Sequence, residues 1–263
     1  MTTTSPNNIP LEDDPCDVIG KAMRGLGINA DTLAQETGLS PQDIRQALDG
    51  DTDSQLLEPI AHALQLSASA LNGLPSYRPE VTEPENLKQI VSSFGHAGVN
   101  SFVISQGNKA VVFDTGTDAA PILEFLEKKQ LEASALLITH RHPDHTAGIR
   151  EFSNIPAVYP EDINHGELIQ FSDIQLTALD VSGHARPARA FYHTGLSLPV
   201  CILGDCMFAG SIGGAPDQGS YQLALQTIRD NILTLPSDTV ICPGHGPLSN
   251  LHLELEHNPF VAN

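Results

Sequence analysis

The sequence has no tryptophan, three methionines and an aromatic content of only 5% over 263 residues. Its core must therefore rest on aliphatic side chains, and a hydrophobic content of 40% is enough to build one. No apolar run approaches the roughly 20 residues of a membrane-spanning helix, so no membrane role is expected. Cysteine is scarce as well. Cys16, Cys201, Cys206 and Cys242 form no C-x-x-C pair, which argues against a disulfide framework and fits a reducing cytoplasm. Residues 1–15 lack a basic stretch followed by an apolar one, so secretion is not expected. They read as a disordered lead. Positive charge is the last shortage: 13 basic residues face 32 acidic ones, a formal charge of −19. Nucleic-acid binding relies on Lys and Arg neutralising phosphates, and this balance opposes it.

Two segments of different grammar follow the lead. Residues 16–75 alternate short amphipathic helical patterns with turn signals. Asn29 is placed to cap a helix over "ADTLAQET" that ends at Gly38, and Ser40 to cap "PQDIRQAL", with Pro41 at its first position and Gly50 past its end. Two more helical patterns, "SQLLEPIAHALQL" and "SASALNGL", complete a small all-α domain. Residues 76–87 hold several prolines and charges and read as a linker. From residue 88 to 263 short β-type runs alternate with turns and helices, the signature of a mixed α/β domain.

The densest chemistry lies in "LLITHRHPDHTAG", where His140, His142, Asp144 and His145 crowd the mouth of an apolar run. Other strand candidates also end in ligand-type residues. "LTALDVSGH" reaches His184, "VCILGD" reaches Asp205 and "TVICPGH" reaches His245. Imidazole and carboxylate together suit zinc or iron, and strand ends give a site the rigidity that coordination needs.

The T-H-R-H-P-D-H pattern resembles the H-x-H-x-D-H signature of the metallo-β-lactamase superfamily. The later Gly183-His184, Gly204-Asp205 and Pro243-Gly244-His245-Gly246 fall in that superfamily's order. The resemblance spans about residues 88–260 and implies an αββα sandwich with metals at one edge of its two sheets. Within the superfamily, "GDCMFAGSIGG" and "VICPGHGP" are most similar to the glyoxalase II group of thioester hydrolases. That resemblance implies two divalent metal ions, zinc with iron or manganese as alternatives. His140, His142 and His184 would hold the first, Asp144, His145 and His245 the second, and Asp205 would bridge them. Asp114, in "VVFDTG", falls where the family keeps an acid that buttresses the ligands. The implied activity is hydrolysis of a small thioester or ester through a metal-bridging hydroxide, with Asp144 as a proton acceptor. Arg186 and Arg189, in "VSGHARPAR", are expected to face the cleft and meet an anionic substrate. A mononuclear iron persulfide dioxygenase and a lactonase are the enzymatic alternatives.

The helical segment resembles the helix-turn-helix domain of Cro/cI-type repressors, which raises a non-enzymatic alternative, a ligand-sensing DNA-binding regulator. Up to Ser76, however, three basic residues face eleven acidic ones, the wrong sign for DNA. Homodimerisation through this segment is expected instead. His62, His165, His193, His252 and His257 read as structural, and His96 is weighed as a histidine near the cleft.

Overall fold

The computed structural model describes residues 9–95 and 98–262. His96 lies outside them. Five helices come first: α1 (Pro15–Leu26), α2 (Ala30–Thr37), α3 (Pro41–Leu48), α4 (Ser54–Ala63) and α5 (Ala68–Gly73). Their boundaries follow local chemistry. The Asn29 side chain accepts a hydrogen bond from the Thr32 amide, Gly38 ends α2 in the left-handed region, and Ser40 forms a reciprocal capping box with Asp43.

The larger part begins with β1 (Leu87–Ser92), β2 (Val99–Gln106), β3 (Lys109–Phe113), β4 (Glu132–Leu137) and β5 (Ala157–Val158), which form one sheet in that order. Helix α6 (Ala120–Lys129) crosses from β3 to its parallel neighbour β4. The one-turn α7 (Pro143–Thr146) follows β4. A second sheet is built from β6 (Leu168–Phe171), β7 (Ile174–Asp180), β8 (Arg189–His193), β9 (Val200–Gly204), β12 (Val240–Pro243) and β13 (Ser249–Asn250). Its order is β13-β12-β9-β8-β7-β6, while β10 (Met207–Phe208) and β11 (Ser211–Ile212) pair separately as a tight hairpin. Helix α8 (Gln218–Thr227) lies between that hairpin and β12 in sequence, and α9 (Leu251–His257) closes the fold.

Residue alternation explains the layering. Successive side chains on a strand face opposite ways. On β2 and β3, Phe102, Ile104, Val111 and Phe113 therefore point inward, where they meet Leu176, Phe191, Val200 and Ile202 of the second sheet. The intervening Val103 and Val112 point outward under Ile122 and Leu126 of α6. On the far side Cys201, Leu203 and Ile241 pack beneath Tyr221 of α8 and Ile228. Both sheets are thus buried on both faces, and the architecture is the αββα sandwich expected. Strands β1, β6 and β8 were not foreseen. Their sequences mix lysine, glutamine or arginine into the apolar pattern, and pairing with β2 or β7 supplies the order that their own composition does not.

The helical segment does not stand apart. Its core of Val18, Ile19, Leu33, Ile44, Leu57, Ile60 and Leu64 runs on without a break into Ala209, Leu253 and Phe260 of the larger part. The Tyr221 ring lies so close to Gly25 of α1 that a Cβ there would sit 2.3 Å from it. Residues 10–14, expected as part of the lead, also lie against the larger part. Pro10 to Glu12 run beside Gly246, and the Asp13 carboxylate accepts from both Lys21 and Ser211. Glu254, fully buried on α9, gathers Tyr77 at the end of the helical segment, Ser249, the Gly210 amide and Asn258.

One consequence can be measured. Leu57→Ala should cost about 2–5 kcal/mol, the range for a fully buried leucine. Because the core is continuous, urea unfolding followed by far-ultraviolet dichroism and by tyrosine fluorescence should give one coincident transition, shifted for the whole chain.

Candidate metal centre

Four strand ends converge at one edge of the sandwich. The chain beyond β4 carries Thr139 and His140, then turns through His142 into α7, which carries Asp144 and His145. The chain beyond β7 brings His184, that beyond β9 brings Asp205, and that beyond β12 brings His245. All seven side chains expected from the sequence meet here. They fall into two sets, His140–His142–His184–Asp205 and Asp144–His145–Asp205–His245, with the donor atoms in each set within 4.8 Å of one another.

Asp205 belongs to both. Its Oδ1 lies 3.1 Å from His145 Nε2, and its Oδ2 lies 3.4 Å from His184 Nε2, 3.5 Å from His245 Nε2 and 3.8 Å from His140 Nε2. Asp144 Oδ2 stands 3.3 Å from His245 Nε2 and 3.7 Å from His145 Nε2. His140, His145, Asp205 and His245 are buried, whereas His142 and His184 are only partly so, and the first set faces the opening.

The far nitrogen of each inner imidazole is fixed by the protein. His145 Nδ1–H donates to Asp114 Oδ2 at 2.8 Å, His184 Nδ1–H to the Gly214 carbonyl at 2.7 Å and His245 Nδ1–H to the Gly98 carbonyl at 2.7 Å. The Thr139 hydroxyl donates to Asp114 Oδ2, which leaves its oxygen to accept from His140 Nδ1 at 3.1 Å. Every one of these bonds places an Nε2 lone pair inward, the arrangement that orients imidazole ligands toward a cation. Asp114 serves two of the four. Its backbone sits in the left-handed region at φ 54°, and its Oδ1 accepts the Thr139 amide at 2.8 Å.

The fit to a cation can be judged from the polar atoms themselves. His140 Nε2, His145 Nε2 and Asp205 Oδ1 are buried without a hydrogen-bond partner. Buried polar atoms are rarely left so; His140 Nε2 belongs to one set and His145 Nε2 to the other, with Asp205 common to both, and such donors suit divalent ions. Electrostatics agree. Burial pushes the His140 imidazole down to about 2, keeping it neutral and its lone pair available. Burial would raise the Asp205 carboxyl, yet the neighbouring His145 and His245 hold it well below the usual carboxylate range. His245 is pushed up to about 10, because Asp144 and Asp205 outweigh the opposing effect of its burial, so a cation held there would take the place of its Nε2 proton.

Glycine makes room for this crowding. A Cβ on Gly244 would sit 2.1 Å from Asp205 Oδ1 and 2.8 Å from His145 Cε1, and one on Gly213 would meet the Asp205 carbonyl at 1.9 Å. The Pro-Gly-His-Gly turn is held from below by Asn100, whose Nδ2 donates to the Pro243 and Gly246 carbonyls at 2.8 and 2.9 Å. Asn100 went unnoticed in the sequence, where only the polar interruption of an apolar strand marks it, and Thr139 was quoted within its motif without a role.

The arginine expectation needs correcting. Arg189 is bound within its own surroundings, with Nε donating to the Ile163 carbonyl and Nη1 to Asp180, each at 2.8 Å. A guanidinium spent on an internal carboxylate is not available to a substrate. Arg186 is exposed, two residues beyond His184.

Comparison with known proteins agrees with this geometry. The family model described as "Metallo-beta-lactamase superfamily" matches residues 95–161. A hydroxyacylglutathione hydrolase from Pectobacterium atrosepticum is 30% identical over 165 residues, covering 56% of this chain and 61% of that protein. A probable metallo-hydrolase, YqgX, from Bacillus subtilis is 27% identical over 201 residues, 64% of this chain and 94% of the relative. Among solved structures, the BLEG-1 B3 metallo-beta-lactamase superposes with a TM-score of 0.59 at 26% identity, covering 67% of this chain and 100% of that one. The chain spans about three-fifths of the length of the hydroxyacylglutathione hydrolases it matches. Among the described residues no helix is long and apolar enough to cross a membrane.

Two substitutions test the site. Gly244→Ala should yield folded protein with metal content well below wild type, read by elemental analysis beside circular dichroism. Asp114→Asn removes the acceptor that fixes His145 and should weaken metal affinity about 10–100-fold, measured by competition with a chromogenic chelator.

Proposed function

We infer that the protein is a two-metal hydrolase of small thioesters. The observation that carries this reading is the pair of complete donor sets joined through Asp205. His140, His142, His184 and Asp205 would hold one divalent ion, and Asp144, His145, His245 and Asp205 the other. When bound, such a pair supplies water activation near neutral pH and polarisation of the scissile carbonyl.

The chain's own residues supply the rest. The fixed Nδ1 bonds hold the imidazoles so that no reorganisation is needed when charge develops. Asp144 is the carboxylate with a path to solvent, its side chain 11% exposed. Burial raises its pKa, but His245 and His145 more than compensate and hold it below the usual carboxylate range. It is therefore ionised at neutral pH, with Oδ2 positioned to accept a proton. The Phe94 and Phe208 rings stand 5.6 and 5.7 Å from the His245 ring and give the buried set an apolar wall. A thiolate leaves without assistance more readily than an alkoxide or amide, since a free thiol has a pKa of about 8.5. A thioester is therefore the least demanding substrate for such a site. The likeness to hydroxyacylglutathione hydrolase supports the same class.

A mononuclear iron oxygenase needs only one set, and the intact second set favours the two-metal reading. A DNA-reading regulator finds little support, because α3 offers Arg45 as its sole basic residue beside Asp43. Chain purified without added metal should carry about two equivalents of zinc, iron or manganese. His245→Ala should lower that to about one and abolish hydrolysis across a thioester and lactone panel. One equivalent of iron alone, with oxygen uptake on a persulfide, would overturn the assignment.

A further inference from the structure

Residues 10–14 pass behind the last of the seven donors. A Cβ on Gly246, the residue after His245, would lie 3.4 Å from the Glu12 amide nitrogen and 3.5 Å from the Pro10 carbonyl oxygen. Glu12 Oε2 stands 3.9 Å from His245 Nδ1, while the opposite nitrogen, Nε2, faces Asp144 and Asp205. The Nδ1–H already donates to the Gly98 carbonyl at 2.7 Å, so the carboxylate acts on the ring through its charge. Its neighbours in the chain fix its place. Leu11 packs on the helical core, and the buried Asp13 accepts from Lys21 and Ser211. The Asp14 amide then donates to Asp17 Oδ2 at 3.1 Å where α1 begins.

The two donor sets differ in what lies behind them. Both imidazoles of the second set have a carboxylate beyond Nδ1, Asp114 for His145 and Glu12 for His245. In the first set the groups in contact are neutral, the Gly214 carbonyl for His184 and the Thr139 hydroxyl for His140. A cation at Nε2 draws charge through the ring and makes Nδ1–H more positive, a state that an anion behind the ring stabilises. Two divalent ions also bring more positive charge than Asp144 and Asp205 can balance, and the two carboxylates behind the second set reduce that excess. We propose that Glu12 is a positioning residue of the metal centre, whose carboxylate makes the set containing His245 the tighter of the two. This rests on the two-metal reading above. It gives the segment ahead of α1 a part in metal retention, although it lies outside the sandwich that carries the donors.

The test titrates metal-free protein with zinc against a chromogenic chelator, which reads affinity without turnover. Wild type should show two steps. Glu12→Gln keeps the shape and removes the charge, and should weaken the tighter step about tenfold while leaving the other in place; the low end of the usual range applies because the Glu12 side chain is 27% exposed. Glu12→Asp keeps the charge and should retain part of the difference. In a His245→Ala background, Glu12→Gln should leave the remaining step where it is. Wild-type affinity in Glu12→Gln, or an equal loss at both steps, would overturn the proposal. So would a larger loss in Glu12→Asp than in Glu12→Gln, since that order follows shape rather than charge. If wild type shows a single step, the two-metal reading fails. Glu12 is then judged on that step alone: weakening in Glu12→Gln supports its role, and no change overturns it.

Discussion

A carboxylate buried among four imidazoles is the feature on which the rest of this structure depends. Asp205 is nearly removed from solvent, with nitrogen atoms of His140, His145, His184 and His245 all within 3.8 Å. Burying a charge is costly unless it is paired, and here the pairing comes from four separate strand ends. The fold must therefore hold those ends against one another. Glycines at 213 and 244 give the clearance, and the Asn100 amide ties the last turn down to β2. The Asp205 loop is gripped from two sides: Asn258 Nδ2 donates to the Ser211 carbonyl at 2.8 Å from α9, and Lys21 reaches the Ile212 carbonyl from α1.

That grip ties the helical segment to the loop that follows Asp205. Its apolar core includes Ala209 on the hairpin after Asp205, and Asp13 accepts from Ser211 in the same hairpin. Lys21 also stands over the Phe208 ring, which in turn packs edge-on against His245. A disturbance of α1 thus reaches the metal donors through two contacts.

The strong acidity of the protein acquires a local meaning. Asp114, Asp144 and Asp205 are needed where the imidazoles converge, and each has a partner that justifies its burial. The remaining acidic side chains are mostly on the surface, where they stay hydrated and cost little. Against that background the few cations are informative by position. Arg189 and Lys21 are consumed within the structure, by Asp180 and Asp13.

The sequence by itself marked the central strands through the apolar runs "SFVIS" and "KAVVF". It determined the helix ends at Asn29, Gly38 and Ser40, and it singled out the seven side chains that meet at the sheet edge. Each of these is a local matter, fixed by side-chain period, by capping chemistry or by residue type at a strand end. The tertiary structure decided what depends on distance through space. It ordered β1 and β8, whose own patterns are weak, by hydrogen-bonding them to neighbours. It spent Arg189 on Asp180 although its place beside His184 suggested otherwise. It brought Arg24 to Gly214 across nearly the whole length of the chain. No local pattern encodes such a meeting, because it arises only when the helical core closes over the loop after Asp205.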